Sequence, residues 1–375
     1  MPGPDPDFAP LRQIGWPFDG PPLDPQWAAC WAAHPGARPA RVVEQHRSGY
    51  RLAEGPDQVY AAESPPEWLR RAAAAEADQR AAVGDWVLQR DGRILALLPR
   101  RSCIKRGAAG EHYRQQVIAA NIDTAFVLCG LDDDFNPRRI ERYLLLAGNG
   151  GTAPVVVLTK ADLDAHTPTG GRSRVDQARA ALAGLEARGI PVLAIDARDP
   201  DSTLALQPWL GVGRTVVLVG SSGAGKSTLT NTLLGQARMR TGQVRGSDSR
   251  GRHTTTYRAL MTLPDGACLI DTPGMRELKP TGEERLDVGG FADVETLAAQ
   301  CRFRDCVHQG EPGCAVRAAV ADGRLDPERL AHYQKLRAEL ADAADQLAAR
   351  LSKKGAAKVQ ARALHKRVDE KYGRH

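Results

Sequence analysis

The chain has 375 residues, of which 42% are hydrophobic and 26% charged, with a formal net charge of +6. That length exceeds what one hydrophobic core usually supports, and the balance excludes a chain that is disordered throughout. No run approaches the roughly 18 consecutive apolar residues of a membrane span, the start lacks a basic-then-apolar signal pattern, and the seven cysteines are odd in number, so the expectation is a cytoplasmic protein without a disulfide framework.

Residues 1–36 are rich in Pro, Gly and Asp and read as a flexible extension. Over 37–107 the pattern becomes short alternating runs at 40–44, 50–53, 58–62, 85–89 and 93–98, punctuated by Gly49, Gly55, Gly84 and Gly92. Runs of that length predict a small antiparallel barrel of about five strands. Between the third and fourth, Ser64-Pro65-Pro66-Glu67 joins a capping hydroxyl to first-turn prolines and a Glu, which predicts the start of an Ala-rich helical insertion.

Over 108–288 apolar β-branched runs at 124–129, 154–158, 190–195, 215–219 and 267–270 alternate with helical segments that include 137–147, 175–188 and 226–234. This alternation predicts an α/β domain with a mainly parallel sheet and helices on both faces. Thr159-Lys160-Ala161-Asp162 ends the second run. The Asp162 carboxylate can accept two hydrogen bonds from the ring N–H and exocyclic amine of guanine, a pattern adenine does not offer. Asp196-Ala197 follows the third run, where a backbone N–H would reach the guanine oxygen.

Gly220-Ser221-Ser222-Gly223-Ala224-Gly225-Lys226-Ser227 matches the phosphate-loop pattern at every fixed position, between an apolar run and a helix that continues with Thr228. Its glycines let successive N–H groups and the helix N-terminus face phosphates, while Lys226 reaches the β and γ phosphates and the Ser227 hydroxyl ligates Mg²⁺. GTP or GDP with Mg²⁺ is therefore the expected cofactor. In Gly251-Arg252-His253-Thr254-Thr255-Thr256, Thr255 or a neighbouring threonine can meet Mg²⁺ when the γ phosphate is present. Asp271-Thr272-Pro273-Gly274 then supplies a strand-end Asp that holds Mg²⁺ indirectly and a Gly N–H for the γ phosphate. The next position, where many GTPases place a water-orienting Gln, is Met275, and a thioether cannot position water. His253 is the nearest group able to do so, which makes His253, Lys226 and Thr255 the candidate catalytic residues. Base recognition precedes the phosphate loop, the reverse of ordinary GTPases, so the domain is circularly permuted and its second switch ends beside the cysteine region.

Over 289–351, Cys301, Cys306, His308 and Cys314 provide three thiolates and an imidazole within fourteen residues, which suits a closed, structural zinc site. The spacing is not that of a common finger, and free core cysteines beside a surface His308 are the alternative. Asp326-Pro327 opens a long helix with Leu330, Tyr333, Leu336, Leu340 and Leu347 on one stripe. From 352 to 375 a basic tail sets Lys353, Lys354, Lys358, Arg362, Lys366, Arg367, Lys371 and Arg374 against Asp369 and Glu370.

The permuted order, the Gly-Arg-His-Thr-Thr switch and the segment from Cys301 to Cys314 together resemble the ribosome small-subunit-dependent GTPase A family, also called RsgA or YjeQ. The resemblance spans 38–351 and includes Val83-Gly84-Asp85-Trp86-Val87 and Leu98-Pro99-Arg100-Arg101-Ser102. It implies an oligonucleotide-binding (OB-fold) barrel, a permuted P-loop GTPase domain and a zinc-bearing helical domain. It also implies the small ribosomal subunit and its rRNA as partners, with late subunit maturation as the task. Thr159 departs from the usual Asn, and the N-terminal extension and Ala-rich insertion also depart from the pattern. RNA contact is expected through Arg100, Arg101, Lys105, Arg106 and the basic tail, by a monomer whose turnover is stimulated by the subunit and coupled to release. Two rival readings are an RNA-binding chaperone with a slow nucleotide switch and a P-loop ATPase acting on nucleic acid, the latter opposed by Asp162.

Overall fold

A computed structural model describes residues 7–46, 49–69, 80–107, 115–166, 173–235, 259–272 and 279–372. Its first segment corrects the expectation of a flexible extension. Helices α1 (Phe8–Gln13) and α2 (Pro25–Ala32) are each capped by an aspartate, Asp7 accepting the Ala9 N–H and Asp24 those of Gln26 and Trp27. Trp16 and Trp27 are buried, and Trp16 meets the barrel residue Trp86 edge-on with centroids 4.8 Å apart. Large aromatic rings carry enough buried area to order a Pro-rich segment whose composition alone favours a loose chain.

The barrel strands fall within two residues of the runs read from sequence: β1 (Arg38–Gln45), β2 (Tyr50–Gly55), β3 (Gln58–Ala62), β4 (Trp86–Arg90) and β5 (Arg93–Leu97), with the short helix α3 (Pro66–Leu69) before β4. Residues 70–79 of the Ala-rich insertion lie outside the described residues. Strand β1 pairs antiparallel with β2 and β4, β2 with β3, and β4 with β5. A parallel bridge between Glu63 and Arg93 closes the cyclic order β1–β2–β3–β5–β4. Ala40, Val42, Leu52, Val87 and Ile94 fill its interior. An antiparallel pair, β6 (Cys103–Gly107) and β7 (Gln115–Ala120), straddles the domain boundary read at 107.

The central sheet is built from β8 (Thr124–Gly130), β9 (Ala153–Thr159), β10 (Val192–Ala194), β11 (Thr215–Gly220), β12 (Ala259–Thr262) and β13 (Cys268–Asp271). Their order is β10–β9–β8–β11–β13–β12, parallel except for β12, which runs antiparallel to β13. Every residue of β8 and β11 is buried, as expected of central strands covered on both faces. One face packs on α4 (Pro137–Asn149) and α5 (Arg174–Glu186), through Ile140, Leu144 and Leu182. The other packs on α7 (Lys226–Leu234) through Leu229 and Leu234, after the short helix α6 (Pro200–Thr203). The fully buried Arg41 guanidinium donates to the carbonyls of Ile14, Gly84 and Asn121, at 2.5, 3.3 and 3.1 Å, and so ties the N-terminal segment and barrel to the central sheet.

The C-terminal part holds α8 (Ala292–Ala298), α9 (Ala315–Ala321) and α10 (Pro327–Tyr372). Leu330, Tyr333, Leu336 and Leu340 pack on Phe291, Val294 and Val316. The separate tail expected from 352 is corrected: α10 continues through it to Tyr372, although the side chains of its eight basic residues lie outside the described residues. Ion pairs fasten α10 to α4, with Arg142 on Glu339 at 2.8 Å and Arg329 bridging Glu141 and Asp293, and a hydrogen bond of 2.5 Å joins His332 to Glu141. No described helix is long and apolar enough to cross a membrane.

Candidate nucleotide site and metal centre

The phosphate loop leaves the C-terminal end of β11, at the middle of the sheet, and turns into α7. Two of its glycines are required by geometry. A Cβ on Gly220 would meet the Leu128 carbonyl oxygen at 2.5 Å, and Gly225 holds a left-handed φ of 86° against the Thr159 side chain. Lys226 is buried, and its ammonium donates to the carbonyls of Gly220 and Ser221 at 2.9 and 2.5 Å. Burial lowers its pKa to about 8, opposed by the Asp271 and Asp134 carboxylates. Ser222 and Gly223 line the outer loop, while Ala224 is buried and Ser227 and Thr228 begin α7 half-buried. Asp271 ends β13 in register with Leu218 of β11, and the Thr272 hydroxyl donates to the Leu218 carbonyl at 2.7 Å.

The residues expected to read the base reach the same edge from β9 and β10. Thr159 is fully buried, and its hydroxyl donates to the Ala224 carbonyl at 2.9 Å, joining β9 directly to the phosphate loop. The shorter side chain that replaces the usual Asn therefore retains a structural bond across the site. Lys160, at a left-handed φ of 64°, is ion-paired with Asp132. Arg198 spans Asp162 and Asp196, with contacts of 2.7 and 3.2 Å. Burial alone would raise the Asp196 carboxyl, but the Arg198 hydrogen bonds outweigh it and hold the carboxyl below the usual range. Ala197 is buried beside them, its carbonyl accepting the Thr232 hydroxyl of α7.

In the C-terminal part, the ligand atoms of Cys301, Cys306, His308 and Cys314 all lie within 4.8 Å of one another. His308 Nδ1 is 3.7, 3.4 and 3.4 Å from the sulfurs of Cys301, Cys306 and Cys314, and Cys301 and Cys314 are 3.9 Å apart. A tetrahedral ion with metal–sulfur bonds of ~2.3 Å has sulfur–sulfur edges of about 3.8 Å, so the four groups already hold the outline of such a site. The chain around them is fixed by Gln334 and Arg337 of α10, which donate to the His308 and Cys306 carbonyls at 2.9 and 3.1 Å. Glu311 accepts the backbone N–H groups of Val307, Gln309 and Gly310, which lower its pKa to about 2.

A family model described as RsgA GTPase matches residues 97–281, the span from the end of the barrel to beyond β13. Two relatives, each named Small ribosomal subunit biogenesis GTPase RsgA, come from Xanthomonas euvesicatoria pv. vesicatoria (strain 85-10) and Xanthomonas oryzae pv. oryzae (strain MAFF 311018). Both are 65% identical over 347 residues, which cover 92% of this chain and 93% of theirs. The chain belongs to the RsgA family of GTPases. As a member of the RsgA family it is a GTP hydrolase. The fold is shared with two solved structures: YloQ, a circularly permuted GTPase, at 22% identity and a TM-score of 0.55 over 82% of this chain and 96% of that one, and YjeQ from Thermotoga maritima, at 24% and 0.56 over 81% and 99%. A model described as ABC transporter also matches residues 208–366. That span begins at Pro208, ahead of β11, and takes in the phosphate loop but not β8, β9 or β10.

Three further residues of this RsgA-family site were not singled out from sequence. Asp134 accepts the Ser221 hydroxyl at 2.5 Å and the Arg139 guanidinium at 2.7 Å, bracing the phosphate loop from the β8–α4 connection. Asp132 braces Lys160, and Arg198 covers Asp162. No local pattern marks these residues, because each meets its partner across the sheet edge. His253, Thr255 and Gly274 lie outside the described residues. Arg100 departs from its expected role: its guanidinium is committed to the fully buried Asp85 at 2.7 Å and to the Arg80 carbonyl, leaving it little exposed. The exposed cation beside it is Arg101.

Proposed function

We propose that this chain binds the small ribosomal subunit, assists a late step of its maturation, and leaves on GTP hydrolysis. One observation carries the reading. The phosphate loop and the carboxylate of Asp162 stand at one edge of the sheet, linked by the bond from Thr159 to Ala224, so phosphate and guanine recognition form one rigid unit. Ser227 and Thr255 are assigned to Mg²⁺, with Asp271 behind it, and the bound ion neutralises developing phosphate charge. Cys301, Cys306, His308 and Cys314 are assigned to one structural zinc, whose chemistry is to close the fold around four ligands.

The cyclic strand order β1–β2–β3–β5–β4, with a parallel bridge from Glu63, just after β3, to Arg93 of β5, supports reading this part as an oligonucleotide-binding barrel with rRNA as its proposed ligand. The protein is taken to act in the cytoplasm as a monomer. Ion pairs between α4 and α10 give the nucleotide domain a direct handle on the zinc-bearing part. His253 is proposed to orient the attacking water when the small subunit is bound. The test is GTP turnover with small subunits, large subunits and neither, with ATP as competitor. Stimulation by small subunits alone, lost by on the order of 10²-fold in His253→Ala at normal GTP binding, is the expected result. Equal turnover in all three conditions favours the chaperone with a slow switch, and equal competition by ATP removes guanine specificity.

A further inference from the structure

At the end of the sheet opposite the phosphate loop, a cavity of about 410 Å³ opens between the start of the central sheet and the barrel connection, where Thr124 begins β8 and Arg214 precedes β11. Its wall includes Arg101, Arg214, Trp209, Asn121 and Asp123. Arg101 and Arg214 are exposed, and neither guanidinium has a partner among the described residues. Trp209 is half-buried, its ring edge-on to Phe126 at 6.4 Å, and its indole N–H likewise has no described partner. The cavity wall is held rather than improvised. The buried Asn121 accepts the Arg101 backbone N–H at 3.1 Å and donates to the Gly84 carbonyl at 3.2 Å, and Asp123 accepts the Thr215 N–H at 2.8 Å.

An aromatic face, two unpaired guanidiniums and one carboxylate are the groups that recognise a phosphorylated nucleoside. We infer that this cavity is a second nucleotide-binding site, separate from the GTP site, that takes one unpaired nucleotide, with its base against Trp209 and its phosphate between Arg101 and Arg214. The ligand comes either from RNA or from a free mononucleotide, and Asp123 favours RNA. A phosphodiester carries one negative charge where a terminal phosphate carries nearly two, so the nearby carboxylate repels the diester less. Asp123 can also accept from a ribose 2′-hydroxyl, which DNA lacks. A second cleft of about 370 Å³ shares Arg101 and Ser102 and gives the strand a continuing path. There Lys105 is set against Glu283 at 3.9 Å, so phosphate attraction falls mainly on Arg101 and Arg214.

This inference rests on the RNA-binding part of the proposed function, and the experiment separates the two. The full chain is titrated with a short single-stranded oligoribonucleotide, the matching deoxyoligonucleotide, AMP and purified small subunits, with GTP affinity as the control for folding. Trp209→Ala is expected to weaken the oligoribonucleotide about tenfold, and Trp209→Phe, which keeps a ring, to retain most of the binding. Arg101→Gln with Arg214→Gln is expected to lower the salt dependence by about one neutralised phosphate. Unchanged oligoribonucleotide binding in all three variants, with intact binding of small subunits, overturns the site and leaves the function standing. AMP binding that the variants lose, without oligonucleotide binding, overturns the RNA assignment. A wild-type chain that binds neither subunits nor oligoribonucleotide overturns both.

Discussion

The candidate metal centre and the candidate nucleotide site are built in opposite ways. The four candidate zinc ligands come from fourteen consecutive residues, and their backbone is braced from one side by α10. The nucleotide site gathers residues from Thr159 to Asp271 at four strand ends, and its parts touch only because a parallel sheet aligns those ends. A compact loop of that kind depends on its ion for cohesion, whereas the nucleotide site inherits rigidity from a core of buried strands. Loss of zinc is therefore expected to be a folding event, and loss of a base or phosphate contact a binding event.

The largest expected effect follows from that contrast. Cys306→Ser, or chelation, is expected to reduce zinc from about one per chain to a small fraction and to unfold the segment around α9, since metal binding in such sites is largely folding energy. Metal analysis with proteolysis of the C-terminal part reads this out, and a variant that keeps full zinc shows the cluster is not the site. Next, Asp162→Asn is expected to weaken GTP on the order of 10²-fold or more, because two charge-assisted hydrogen bonds are lost, and to shift preference toward xanthine nucleotides. Unchanged GTP affinity refutes the role of Asp162.

Two effects of about tenfold test the rigidity of the nucleotide site. Thr159→Val keeps the shape but removes the donor to the buried Ala224 carbonyl, and should weaken GTP by about that factor while leaving zinc content unchanged. The second concerns Lys226, whose pKa burial lowers to about 8. Phosphates favour its charged form, so the bound state has the higher pKa and binding takes up a proton above pH 8. Affinity should be flat below about pH 7.5 and fall by about tenfold at pH 9, with proton uptake visible by calorimetry in buffers of different ionisation enthalpy. Proton release, or a flat profile, contradicts the assignment.

The smallest effect is at Arg198, two-thirds exposed and laid across Asp162 and Asp196. Its exposed pairs must yield when guanine takes Asp162. Arg198→Ala should change GTP affinity by no more than about fivefold, toward tighter binding, as befits a weak surface pair. A large loss instead would mean that Arg198 contacts the base.

The phosphate loop, the Asp162 element and the cysteine cluster were legible in sequence because each is a local device. A glycine pattern dictates how a loop can curl, and ligand spacing dictates what an ion can gather, whatever the rest of the chain does. The barrel and sheet strands were legible for a similar reason, since their alternation or apolar continuity reports burial directly. The remaining features depend on partners far away in the chain. Nothing beside Trp16 announces Trp86, nothing near Arg100 announces that Asp85 will neutralise it, and Thr159 looks like a weakened Asn until Ala224 arrives at 2.9 Å from sixty-five residues on. The sequence by itself determined what the chain carries: a circularly permuted GTPase and a cluster of three cysteines and one histidine that could hold a metal ion. Only the tertiary structure decided which charges are committed and which are free, because pairing and burial are set by residues that meet across the fold.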